Sequence, residues 1–371
     1  MQSLFGLTLE ELKTWMVERG EKPFRATQLF DWLYCKKSIA FDAMTNFPKT
    51  LRDAFTSSFT PLLRFVQKIS AEDGETEKFL WELPDGKRLE SVLILSGDRR
   101  TVCVSSQVGC PARCAFCASG KAGLFRNLEA AEIVEQVWHI DHFLKEKGER
   151  VSHVVFMGMG EPMENYKELV RAIRLFISPD AFGLSQRRVT VSTVGVVEGI
   201  LRLAEEDFKV NLALSLHAPT QELRKRIIPY ARKYELQDIL AAMDDFAAKT
   251  KRDITYEYTL LAGINDGLRE ADALADLLQD RQCTVNLIPY NPIPHVRLAR
   301  PSHNQINAFQ RRLQEQGIQT TRRYTKGDDI AAACGQLALA PENRPLAIKT
   351  EEPQKELDES GFVEFAGLQK E

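Results

Sequence analysis

From residue 101 the chain alternates short β-branched runs with helical stretches, and few folds accept that rhythm. TVCVSS precedes a helical stretch at 128–147, HVVFM one at 165–177, and RRVTVST one at 197–206. KVNLALSL precedes two, at 220–228 and 236–250. ITYEYTL precedes 268–280 and CTVNLIP precedes 303–316, with a last short candidate strand in IQTTRR. Strands separated by helices pair in parallel, which leaves a doubly wound sheet or a βα barrel. The strand ends discriminate. CPARCAFC, GMGEP, STVG, SLHAP, LAGIND and IPYNP all follow the C-terminal ends of strands. A doubly wound sheet concentrates ligand groups at one switch point, whereas a barrel gathers every C-terminal end around one mouth. The expected fold is therefore α/β, a partial (βα)6 barrel over residues 101–341.

The flanks read differently. Residues 1–60 predict a small helical accessory domain, with amphipathic TLEELKTWMVERG and KPFRATQLFDWLYCKK. Its many aromatics (Phe24, Phe30, Trp32, Tyr34, Phe41, Phe47, Phe55, Phe59) are expected in its core. Residues 61–100 read as a β-hairpin extension turning at LPDG. Residues 342–371 read as a charged, solvated tail. No apolar run reaches membrane-spanning length, and the first residues lack a basic stretch followed by an apolar core, so the expected compartment is the cytoplasm. The net charge of −3 excludes a uniformly basic nucleic-acid binder. Local basic clusters remain at 224–226, 232–233, 249–252, 311–312 and 322–323; such pairs are usually solvated faces that permit RNA without demonstrating it.

Seven cysteines in a chain with no export signal favour metal or redox chemistry over disulfides. Cys110, Cys114 and Cys117 form a tight C-x3-C-x2-C. Structural zinc wants four ligands, commonly two paired knuckles, and no second knuckle follows. His139 and His142, spaced i and i+3 on a helical stretch, read as half-exposed packing. An iron–sulfur cubane normally takes four thiolates. Three thiolates from one loop leave one iron open to a small chelating substrate. Cys103 stands upstream on a strand, either as a fourth ligand or with a separate task. Cys35 and Cys283 sit within apolar patterns and read as packing.

C-x3-C-x2-C with an aromatic before the last cysteine resembles the radical S-adenosylmethionine (SAM) family, in which the open iron chelates SAM. GMGEP resembles that family's stretch whose main chain meets the methionyl amino group. LESVLI, VSSQVGCPARCAFCASG, FMGMGEPMENY, VSTVG, SLHAP, LIPYNP and GDDIAAACGQL together resemble the RlmN/Cfr group of 23S rRNA adenine methyltransferases, over about residues 20–340. The resemblance implies one 4Fe–4S cluster on Cys110, Cys114 and Cys117, with SAM used twice per turnover. It implies that Cys103 is not a ligand but works with Cys334. Adenine C2 is neither acidic nor nucleophilic, so direct methyl transfer cannot reach it. In this group the first SAM methylates the equivalent of Cys334. A 5′-deoxyadenosyl radical from the second removes a hydrogen from that methyl, and the methylene radical adds to the ring. Cys103 then takes the ring proton and attacks the Cys334 sulfur, releasing methyladenine and a disulfide. Thiols suit each role.

The resemblance also places Glu90 at a proton-acceptor position, although strand alternation alone makes it an exposed glutamate. It places Gly160, Glu161, Ser192, Ser215, Leu216, His217 and Asn291 around SAM. His217 alone would be a general-base candidate, but a backbone role is equally expected at the head of SLHAP. Val194 and Lys326 depart mildly from the group's pattern. The implied partners are 23S rRNA, tRNAs with adenine next to the anticodon, and an external electron donor such as flavodoxin; a monomer is expected. Two other readings stand beside C2 methylation: C8 methylation, as in the Cfr branch, and a zinc-stabilised RNA-binding protein without catalysis.

Overall fold

Six parallel strands build the main body: β4 (Arg99–Cys103), β7 (His153–Phe156), β8 (Val189–Thr193), β9 (Asn211–Ser215), β10 (Ile254–Leu260) and β11 (Cys283–Pro289). A seventh, β12 (Thr320–Arg322), lies parallel to β11, so the run IQTTRR does contribute a strand. This computed structural model describes residues 3–323 and 326–337; the tail expected at 342–371 lies outside the described residues. Ahead of β4 come β1 (Arg64–Ser70), β2 (Thr76–Glu82) and β3 (Arg88–Ser96), all antiparallel. They join β4 directly, so one sheet runs β1-β2-β3-β4-β7-β8-β9-β10-β11-β12. The expected hairpin is thus three strands that continue the barrel wall. β12 and β1 are the sheet's two edges, which makes the barrel open rather than closed.

The helices follow the strands as the sequence rhythm requires. They are α5 (Ala130–Lys145), α6 (Tyr166–Ile177), α7 (Val197–Glu205), α8 (Gln221–Ile227), α9 (Leu236–Thr250), α10 (Leu268–Leu278) and α11 (His303–Glu315). Local chemistry sets their starts. The Glu129 and Glu132 side chains form a capping box on α5, Thr220 caps α8, and Ser302 caps α11.

The N-terminal helices are α1 (Leu9–Val17), α2 (Phe24–Phe30) and α3 (Lys49–Ser58); a π-helical turn at Asp31–Cys35 extends α2. Their core includes Phe30, Tyr34, Phe47, Phe55 and Phe59, while Phe24 lies exposed. That core is continuous with the barrel's. The Glu135 carboxylate on α5 accepts from Ser3 Oγ at 2.6 Å, Leu62 N at 2.8 Å and Leu63 N at 2.8 Å. Lys37 pairs with Asp141 on the same helix at 2.6 Å. His139 and His142 are half-buried and stack on Trp81 and Trp138, as packing residues do.

Candidate active site

The cysteine loop leaves β5 (Gln107–Gly109) and returns through α4 (Ala118–Ala122) into β6 (Leu124–Asn127), which pairs with β5. Gly109 has φ +77°, and a Cβ there would lie 1.8 Å from Gly123 O, so only glycine fits. The loop base closes with Cys110 N donating to Gly123 O at 3.0 Å. Ala115 N donates to Ile227 O at 2.9 Å and so fixes the middle of the loop to α8.

Cys110, Cys114 and Cys117 line one cavity at the mouth of the barrel. Burial pushes all three thiols above the ordinary cysteine range, helped by the neighbouring thiols for Cys110 and Cys114 and by Cys334 for Cys117. Buried thiols in that position become thiolates only beside strong positive charge, which a metal centre supplies. Among the described residues no three His, Cys, Asp or Glu side chains are arranged to hold a single metal ion. Three thiols ringing an open space suit a cluster with several irons better. A buried cation stands by: Arg224 is fully buried, feels Cys114 and Glu161 electrostatically, and has an unbonded Nη1. Burial holds its pKa down to about 10, so it stays charged at neutral pH. The donor set therefore fits a cluster.

The same cavity is lined by Gly160, Glu161, Ser192, Ser215, His217 and Asn291. Gly160 has φ +111°, and a Cβ there would meet Ser106 Oγ at 2.7 Å. Glu161 is buried, which raises its pKa to about 7 against the pull of two backbone donors. Those donors are Met163 N at 3.0 Å and Val194 N at 2.8 Å, so the carboxylate ties GMGEP to the end of β8. Ser192 and Ser215 Oγ atoms lie 3.3 Å apart. His217 has φ +57°, and its Nδ1 accepts from Thr259 N at 2.9 Å. Burial lowers its pKa to about 3, so the ring is neutral, with its proton on Nε2. It is thus a packed donor with no free basic nitrogen, and the general-base alternative falls. Leu216 is buried outside the cavity lining; its carbonyl accepts from Arg224 Nε at 3.2 Å.

Cys334 also lines this cavity. Its loop is held from both sides. Ala118 N donates to Gly335 O at 2.7 Å, Ser119 Oγ to Leu337 O at 2.5 Å, and Asn291 Nδ2 to Cys334 O at 3.1 Å. Asn291 Oδ1 accepts from Arg300 at 2.9 Å. Cys103, at the end of β4, is buried, and burial followed by the nearby Cys334 raises its pKa to about 12. Arg323 opposes that rise; it lines the cavity and feels Cys334, Glu257 and Cys103. Cys103 and Cys334 are both free thiols.

Glu90 departs from the alternation argument. It is 7% exposed and pairs with Lys78 Nζ at 3.0 Å. That ammonium also donates to Ala331 O at 3.2 Å, in the Cys334 loop, and Glu90 is not among the described residues lining the cavity. Cys35 is exposed rather than packed, whereas Cys283 packs half-buried against the core. Sequence reasoning missed Arg224, Glu257 and Arg323 in the site. Arg224 was readable: it shares a helix face with Ile227 and Ile228, so it points inward.

Comparison with known proteins agrees with this architecture. Residues 2–60 match the model of the ribosomal RNA large subunit methyltransferase N-terminal domain, and residues 104–277 that of the radical SAM superfamily. A protein of Protochlamydia amoebophila, described as a probable dual-specificity RNA methyltransferase RlmN 2, is 59% identical over 331 residues, covering 89% of this chain and 92% of its own. The Bacillus subtilis protein described as a probable dual-specificity RNA methyltransferase RlmN is 44% identical over 336 residues, covering 90% and 92%. The crystal structure of a radical SAM methyltransferase from Sphaerobacter thermophilus superposes with TM-score 0.89 at 44% identity, covering 92% of this chain and 100% of that one.

Proposed function

The chain belongs to the RlmN family of radical SAM methyltransferases, and from that premise we propose that it methylates C2 of an adenine in 23S rRNA and of the adenine next to the anticodon in some tRNAs. In this reading Cys110, Cys114 and Cys117 hold a 4Fe–4S cluster, and Gly160, Glu161, Ser192, Ser215 and Asn291 surround SAM, used twice per turnover. Bound there, cluster and SAM supply the radical that takes a hydrogen atom from an S-methyl group. The protein's own part is to carry that methyl on Cys334, hold it facing the SAM cavity, and release the product through Cys103. An external one-electron donor, such as flavodoxin, serves the cluster, and the protein acts as a monomer.

The observation that carries the proposal is the position of Cys334. One short loop, bonded to both α4 and Asn291, brings Cys334 into the lining of the cavity that the cluster cysteines share, which supports this reading. Cys103, buried beside it, has the role of partner thiol. Full-length similarity to proteins described as dual-specificity RNA methyltransferases RlmN favours C2 in the RlmN manner over C8. The decisive experiment is mass spectrometry of the Cys334 peptide from protein purified anaerobically with its cluster intact. A methyl group on that sulfur is expected. An unmodified Cys334 with cluster and SAM present would reduce the reading to a radical SAM enzyme of another type. Nucleoside analysis of the product RNA separates C2 from C8.

A further inference from the structure

The Cys334 loop has a second face. On the open side of the barrel, between β3–β4 and β11–β12, lies a separate chamber of about 490 Å3. It shares Ile288, Asn291, Arg323 and Cys334 with the cluster cavity but contains none of the three cluster cysteines. Cys334 thus stands in the partition between two chambers.

Their chemistry differs. The second chamber is lined by Arg99, Arg322, Arg323 and Lys326, and none of the described lining residues is Asp or Glu. Among the described residues, no carboxylate pairs with Arg99 or Arg322. Arg322 Nη1 donates to the neutral Asn307 at 3.0 Å, and Lys326 Nζ holds Glu75 at 2.8 Å and Leu95 O at 3.0 Å. Ser96 and Arg99 are exposed, so the rim reaches solvent. Of the four cations around this hollow, Lys326 pairs with Glu75 and Arg323 faces Glu257, while Arg99 and Arg322 keep their charge uncompensated by any carboxylate among the described residues, and such a cluster makes a site for a polyanion.

We propose that this chamber seats the phosphodiester backbone of the substrate RNA next to the target adenosine, so that the strand approaches Cys334 from the side away from the cluster cysteines. The proposal rests on reading the protein as an RNA methyltransferase. It gives a physical reason for two chambers. SAM and RNA must both reach one sulfur, yet the radical must be kept from water and from the rest of the strand. A single-stranded segment bound through phosphates leaves its bases free to swing toward the partition.

The test is RNA binding by the cluster-loaded protein, with a tRNA carrying adenine beside the anticodon, measured across a salt series. The variant is Arg99→Ala/Arg322→Ala. The control is Lys225→Ala/Lys249→Ala, which removes equal charge from α8 and α9. Iron content and far-UV circular dichroism report that each variant is folded and loaded. The expected result is roughly ten-fold weaker binding near ~0.1 M salt for the chamber variant, with the slope of log affinity against log salt smaller by about 2, against little change for the control. Unchanged affinity and slope in the chamber variant overturn the proposal, as does an equal loss in the control. In both cases the parent still binds RNA and the methyltransferase reading stands. A parent that binds no RNA overturns both. Should the double variant fail to load its cluster, the single variant Arg322→Ala replaces it: a slope lower by about 1 is expected, and an unchanged slope overturns the proposal.

Discussion

Two thiols near one guanidinium face unequal demands. Cys103 is buried, and its pKa of about 12 keeps it a thiol at neutral pH in the resting protein. Cys334 sits on a cavity wall, where an attacking group can reach it. Arg323 favours the anion of Cys103 and thereby lowers the cost of using that buried sulfur as a base and nucleophile. Removing each thiol should therefore give different failures. Cys334→Ala should take up no methyl group from SAM and form no RNA adduct. Cys103→Ala should still accept methyl on Cys334 and add to the base, but stall there, accumulating RNA bound through Cys334. A denaturing gel of the RNA–protein mixture reads both outcomes. A Cys103→Ala protein that turns over normally would show that the second cysteine has no part in release.

Elements, more than single residues, hold the cluster loop open. β5 and β6 form a short two-stranded clip whose tightest point is Gly109 against Gly123. Gly109→Ala would force a Cβ into the Gly123 carbonyl and put alanine at φ +77°, a strain of about 1–3 kcal/mol before the clash is counted. The clip would shift, taking the Cys110 backbone with it. The expected outcome is a protein that keeps its far-UV circular dichroism but loads markedly less iron and sulfide on reconstitution. Full loading would show that the loop tolerates the shift. The strand–helix rhythm that predicts the barrel also exposes what was hard to read in its lumen. In ITYEYTL, Tyr256 and Tyr258 face the covering layer, and Glu257 falls on the opposite, lumenal side. Arg323 follows β12 with the same parity as Thr321, whose hydroxyl meets Asn286 at 3.1 Å. Both signals are present as alternation, but an acid or a basic pair in a short strand reads equally as a solvated face. Glu90 fails for a related reason. Its exposure was inferred from an isolated strand, whereas β2 brings Lys78 and the Cys334 loop over it. Long-range cover is invisible to local pattern.

At the scale of the molecule, the N-terminal helices and the barrel are tied together by a carboxyl group with little water around it. Glu135 is fully buried on α5 and holds Ser3, Leu62 and Leu63, the two ends of the N-terminal segment. Burial raises its pKa to about 8, although these three donors favour the anion. His139 Nε2, 4.0 Å away, cannot neutralise it, because burial holds that imidazole's pKa down to about 3. The folded protein therefore keeps a proton on Glu135 at pH values where the unfolded chain, with a pKa of 4.5, has lost it. A carboxyl pKa raised by folding gives a contribution to stability that is complete below the unfolded pKa. It declines as pH rises from about 4.5 and is lost once pH passes about 8. Glu135→Gln keeps an amide of the same shape with no charge to bury. Between about pH 6 and about pH 8.5 the urea midpoint of the natural protein should fall relative to that of Glu135→Gln, and the difference should level off above the folded pKa. Parallel midpoints across that range would mean that the three donors hold Glu135 ionised throughout. In that case the joint between the helical segment and the barrel is a buried anion secured by backbone amides, and the glutamine variant should be the less stable protein at every pH.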